Sequence, residues 1–117
     1  MSDGRLKIQQ KWEDMAAYTY IVLRNMPKSE RFTLGAEIRE AVWRGVRMIV
    51  RANYSRDKRA LLMEIDTEIK TIQALIRVGH SLQIVDHKKY ELLSARLCEI
   101  GRMLGGWLKT QNTGLTR

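Results

Sequence analysis

The chain has 117 residues, with 21 Lys and Arg against 13 Asp and Glu, a formal charge of +8 and a sequence pI near 10.0. That length fits one domain, 1–117, and the excess of positive charge points to an anionic partner rather than to a small-molecule enzyme. Its single cysteine, Cys98, excludes an intrachain disulfide and suits a reducing cytoplasm, while the longest uncharged run, Met15–Leu23, falls far short of the roughly 18–20 apolar residues of a membrane span.

The first predicted helix covers about 6–26, with Ile8, Trp12, Met15, Thr19, Val22 and Met26 alternating by four and three. Polar and charged side chains, including Lys7, Lys11 and Glu13, run through the positions that the apolar core of a signal peptide would need. Pro27 stops this helix, and Ser29 is the expected N-cap of the next, with Glu30 in its first turn.

The second predicted helix, about 30–54, carries the seam Leu34, Ile38, Val42, Gly45, Ile49 and Ala52. The densest positive charge of the chain begins in this segment: Arg39, Arg44, Arg47 and Arg51, then Arg56, Lys58 and Arg59, with only Glu40 and Asp57 as acidic residues between Arg39 and Arg59. Arg44, Arg47 and Arg51 stand at i, i+3 and i+7, a spacing that stacks them as a ridge on one helix face. Planar guanidinium forks match phosphate oxygens bidentately, so the ridge reads as a salt-sensitive, largely sequence-tolerant grip on nucleic acid. Trp43 and Tyr54 are the aromatics placed for base stacking.

Ser55 is the expected cap of the third helix, about 56–82, with the seam Leu62, Ile65, Ile69, Ile72, Ile76 and Gly79. Asp86 is the expected cap of the fourth, about 87–109, with Tyr90, Leu93, Leu97, Ile100, Leu104 and Trp107; residues 110–117 read as a flexible polar tail. Short connections between four amphipathic helices, and no period-two segment, predict an all-α, antiparallel up-down-up-down four-helix bundle.

Apolar side chains also lie off these seams. Trp43, Val46 and Val50 form the second face best suited to bury against another subunit. Gly101 and Gly105, four apart with Gly106 beside them, suggest a close approach by a neighbouring helix, since each glycine costs a helix interior about 1 kcal/mol relative to alanine. Cys98, beside Leu97, is expected to be packed.

No catalytic constellation emerges. His80 and His87 flank the third connection outside any E-x-x-H or H-E-x-x-H pattern and read as solvated loop histidines. Glu64, Asp66 and Glu68 read as a solvated face complementing a helix start. P-loop, dinucleotide and G-x-S-x-G motifs are missing, so the reading is non-enzymatic, without metal or cofactor.

Two strings carry a family resemblance: Arg31-Phe32-Thr33-Leu34-Gly35 with Glu37-Ile38-Arg39, and Glu99-Ile100-Gly101-Arg102-Met103-Leu104-Gly105-Gly106-Trp107-Leu108. With the four-helix layout, from about Trp12 to Gln111, they resemble the accessory variability determinant (Avd) proteins of diversity-generating retroelements. They are also similar to the wider four-helix-bundle family encoded in intervening sequences of bacterial ribosomal RNA genes. The resemblance implies a cytoplasmic, non-enzymatic bundle closed into a ring, a pentamer in Avd proteins. Such a ring would bind template RNA or cDNA and associate with a reverse transcriptase during mutagenic copying. Arg39 matches the motif arginine; the remaining ridge residues stand on charge and spacing alone.

Overall fold

The computed structural model describes residues 3–115, and among them the chain forms four long α-helices, one single-turn helix and no strands. The long helices are α1 (Asp3–Arg24), α3 (Leu34–Tyr54), α4 (Arg59–Ser81) and α5 (His87–Leu115), and the single turn is α2 (Lys28–Arg31). The bundle is a rod of 51 × 21 × 20 Å. α3 packs between α1 and α4, and α5 packs between α4 and α1, so α3 and α5 stand on opposite corners. No helix among the described residues is long and apolar enough to cross a membrane.

The seams dictate this arrangement. Every predicted seam position of α1 from Ile8 to Met26 is buried, as are Ile38, Val42, Gly45, Ile49 and Ala52 of α3 and all six of α4. On α5, Leu93, Leu97, Ile100 and Leu104 are buried, with Tyr90 and Trp107 half-buried at the ends. Burying such side chains contributes about 1.5–3 kcal/mol each, which is what holds four individually marginal helices together. Leu23, Ala41 and Met48 join the core from off the seam, widening each stripe as a globular bundle requires.

The helix ends differ from expectation. Ser29 caps nothing: it lies inside the single-turn α2, and α3 begins at Leu34 rather than 30. The α1 terminus is instead closed by Arg31, whose guanidinium donates to the carbonyls of Met26 (3.2 Å) and Arg24 (2.9 Å). Ser55 ends α3 instead of starting α4, its amide reaching the Ala52 carbonyl (3.4 Å), and α4 begins at Arg59 rather than 56. Asp86 is the expected cap: Oδ1 accepts the Lys89 amide at 2.9 Å, and Oδ2 meets Lys89 Nζ at 3.1 Å. These hydrogen bonds, the backbone one foremost, hold the Asp86 carboxyl below its usual value. The cap therefore contributes above the ordinary carboxylate range and is lost as pH falls through the lowered value. α5 continues through Leu115, so of the predicted tail 110–115 is helical and 116–117 lies outside the described residues.

Glycine is needed at a different place from the one its spacing suggests. At Gly45, any Cβ would lie 1.9 Å from Trp12 Cζ2, because the buried Trp12 ring lies against the α3 backbone and donates from Nε1 to the Val42 carbonyl (3.0 Å). At Gly101, Gly105 and Gly106, a Cβ would meet nothing within 4 Å among the described residues, so none of those approaches closely there. Cys98, expected to be packed, is exposed, one position round the helix from the buried Leu97.

These two glycine settings predict opposite mutational signs. Gly45→Ala should destabilise despite alanine's better helix propensity, because overpacking costs about 1–3 kcal/mol or more against a propensity gain of about 1. Gly101→Ala and Gly105→Ala should each raise stability by about 0.5–1 kcal/mol. Thermal unfolding of the three variants checks this, and a stabilising Gly45→Ala would show that Trp12 is not seated as described.

Candidate nucleic-acid interface

The rotation of α3 decides where each cation points. With Gly45 facing Trp12, a step of two residues turns about 200° and a step of one about 100°. Trp43, Arg47 and Val50 therefore face away from the core, Arg44 leans toward α4, and Val46 leans toward α1. The observed environments follow: Arg47, Arg51 and Arg56 are exposed, and none of them makes an ion pair or side-chain hydrogen bond among the described residues. Arg39 is half-buried, beside Glu40, Trp43 and Arg47 around a shallow concavity of about 290 Å³.

Arg44 behaves differently from its neighbours. Its Nε and Nη2 donate to Glu68 Oε1 (2.9 Å) and Oε2 (3.3 Å) on α4, a fork-to-fork pair, and Nη1 reaches Glu40 at 3.5 Å. Glu68 is only 8% exposed, so its carboxylate needs this cation to offset desolvation. The hydrogen bond and charge of Glu68 hold the Arg44 guanidinium above its ordinary pKa. The predicted ridge Arg44–Arg47–Arg51 is thus interrupted at its first member, which ties two helices together. Glu68 was the missing signal: read as solvated, it sits three residues after Ile65 and four before Ile72, on the α4 seam itself.

Lys58 is engaged as well. Lys58 donates from Nζ to the Ala52 and Ser55 carbonyls, closing the end of α3. Arg59 is half-buried with Nη1 enclosed and without a hydrogen-bond partner. The outward cations of the predicted set are therefore Arg47, Arg51 and Arg56, with Arg39 at the edge. Tyr54, 88% exposed, stands in sequence between Arg51 and Arg56 as an open aromatic face.

Beside the basic strip lies an apolar one. Trp43 is 44% exposed, and its indole is held by an Nε1 hydrogen bond to the Tyr20 hydroxyl (3.1 Å) and an edge-to-face contact with that ring at 5.9 Å. Ala16, Ala17, Tyr20, Trp43 and Val46 line a groove of about 500 Å³ between α1 and α3. Val50, 38% exposed, lies one turn beyond Val46. Tyr20 is absent from the sequence-based set, since nothing in its spacing marks it as the partner that orients Trp43.

The basic residues of α5 do not extend this strip, because α5 occupies the opposite corner of the bundle. Arg96 lies over the Tyr18 ring at 5.2 Å on the α1–α5 side, and Lys89 is drawn to Asp86. No group of three or more His, Cys, Asp or Glu side chains arranged to hold a metal ion occurs among the described residues.

The division between tying and outward cations makes a testable contrast. Arg44→Ala leaves the Glu68 carboxylate in a nearly closed site without its partner and should cost about 1–3 kcal/mol, less than a fully buried pair because Arg44 itself is half exposed. Arg47→Ala should change stability by under about 0.5 kcal/mol. Chemical denaturation of both variants reads the difference, and equal effects would contradict the assignment.

A comparison with curated proteins returns no match. The sequence model of the bAvd-like family matches residues 6–111. That match spans α1 through nearly all of α5, including both motif strings and the basic segment, and the chain therefore belongs to the bAvd-like family.

Proposed function

We propose that this chain is a non-enzymatic accessory protein of a diversity-generating retroelement, gripping template RNA or cDNA through Arg47, Arg51 and Arg56 and docking a reverse transcriptase in the cytoplasm. Membership of the bAvd-like family supports an accessory role at the level of the family. The observation that carries the polyanion grip is that these three arginines are exposed and spend no charge on carboxylates of the described chain. Arg39 flanks them, and Tyr54 adds an aromatic face that any base can stack on. Arg44 and Lys58 hold the scaffold on which the strip is mounted.

The same reading includes a ring-shaped homo-oligomer, a pentamer, joined through the groove of Trp43 and Val46 with Val50 at its margin. An apolar groove flanked by a basic strip on the same helix supports it, because closing a ring would bury the former and repeat the latter around the assembly. The family match is to the Avd branch, which favours the retroelement role over that of a ribosomal intervening-sequence bundle.

The grip predicts strong salt dependence: binding of a single-stranded oligonucleotide should weaken about 10³-fold or more between 50 and 200 mM salt if six or more phosphates are engaged. Reversing Arg47, Arg51 and Arg56 together to Glu should remove binding at all salts with helicity intact. Reversal of Arg96 and Arg102 on the opposite corner should have far less effect. Fluorescence anisotropy measures both, and retained affinity in the first variant would refute the grip.

The ring predicts a light-scattering mass of five times the 13.7 kDa chain at micromolar concentration, falling toward a single chain in Val46→Glu. A wild-type mass of one chain would remove the ring from the account.

A further inference from the structure

The turn from α4 into α5 brings together two side chains that the polyanion grip does not use. Gly79 is the pivot: its carbonyl accepts the amides of Ile84 (2.8 Å) and Val85 (3.1 Å), and a Cβ there would come within 2.9 Å of Val85 Cγ2. Gln83 takes a left-handed conformation, φ 62°, with its amide on the His80 carbonyl (3.0 Å), so the chain doubles back within one turn. The consequence is that His80, near the end of α4, and His87, at the start of α5, face each other with Nε2 of the first 3.1 Å from Nδ1 of the second.

Both rings are oriented from behind. His80 stacks on Tyr90 with ring centroids 4.3 Å apart and planes 11° from parallel. His87 directs its other nitrogen, Nε2, at Glu91 Oε2, 3.2 Å away. A carboxylate at Nε2 favours the N–H on that nitrogen, which leaves the Nδ1 lone pair aimed toward His80. His80 can answer with an N–H from Nε2; with its proton on Nδ1 instead, it offers a second lone pair to the same point.

We propose that His80 Nε2 and His87 Nδ1 form a two-histidine site for a divalent transition-metal ion of the zinc type, with Glu91 fixing His87 from behind and water completing the coordination. Metal–nitrogen bonds of about 2.0–2.1 Å span a 3.1 Å separation at roughly 98°, between an octahedral and a tetrahedral angle, once each ring swings its lone pair about 41° off the line between the two nitrogens. The carboxylate–imidazole–metal order is the usual support for a ligating histidine.

The surroundings limit the site to two protein donors. Asp86 lines the same cavity of about 400 Å³ but is spent on the Lys89 amide and ammonium, which also neutralises the one cation lining that cavity. Asn25, from the end of α1, lines it as well, with its side-chain amide donating to the Ile21 carbonyl at 2.8 Å. No third His, Cys, Asp or Glu completes a cluster among the described residues, so affinity is moderate and follows the usual order, copper(II) above zinc. Magnesium and calcium, which seek oxygen donors, are excluded.

The test is calorimetric titration of zinc chloride into the full chain, carrying no affinity tag, in a non-coordinating buffer. One zinc per chain is expected, with a Kd on the order of micromolar. His80→Gln and His87→Gln should each weaken it at least about tenfold, and Glu91→Gln by about tenfold, with helicity unchanged by circular dichroism. Magnesium chloride should give no binding. Absence of saturable zinc binding overturns the proposal; so does binding that survives both histidine variants, or that disappears in Cys98→Ser, which would place the ion on the exposed thiol.

Discussion

The seating of Trp12 against the backbone of α3 at Gly45 sets the orientation on which the proposed functional surface depends. A ring at that distance leaves no room for any side chain, so α3 can meet α1 in one rotation only. The indole hydrogen bond to the Val42 carbonyl fixes the axial position as well. Once α3 is held this way, helix geometry does the rest: residues two steps from Gly45 point outward, and residues one step away lean onto neighbouring helices. Arg47 is displayed, Arg44 is delivered to α4, and Trp43 is left at the margin of an apolar groove.

Positive charge on and around this helix consequently has two uses. Arg44 neutralises Glu68, a carboxylate that would be costly in its nearly closed site without a bidentate partner. Lys58 and Arg31 close the carbonyl ends of α3 and α1. What the proposed polyanion grip has left to use is the set facing solvent that makes no ion pair among the described residues. A bundle of this composition thus spends part of its cationic excess on its own architecture, and net charge alone overstates the binding surface.

Most of the fold was legible in the sequence because burial acts on periodicity. The four-three steps of Leu62 through Gly79 or Leu93 through Leu104 translate directly into one buried stripe. Ends were less legible. Ser29 and Ser55 have the right chemistry for caps, but Arg31 and Lys58 reach back to carbonyls from farther along the chain, and no local pattern reports such a reach. Gly101 and Gly105 carry a spacing associated with close approach, whereas Gly45, against which the Trp12 ring packs, is visible only as a seam position. The basic strip was located, yet its division depended on Glu68, whose place on the α4 seam outweighs its polarity once Arg44 is opposite. His80 and His87 meet only because a left-handed residue at Gln83 folds the turn, a conformation that non-glycine residues seldom signal.

The proposed polyanion surface lies on one corner of the rod, the outward side of α3 and the turn that follows it, with α5 diagonal to it. Photochemical cross-linking of a bound single-stranded oligonucleotide, with the adducts mapped by mass spectrometry, tests this location most directly. The account predicts adducts on peptides containing Arg47, Arg51, Tyr54 and Arg56. Adducts confined to α5, around Arg96 and Arg102, would contradict it.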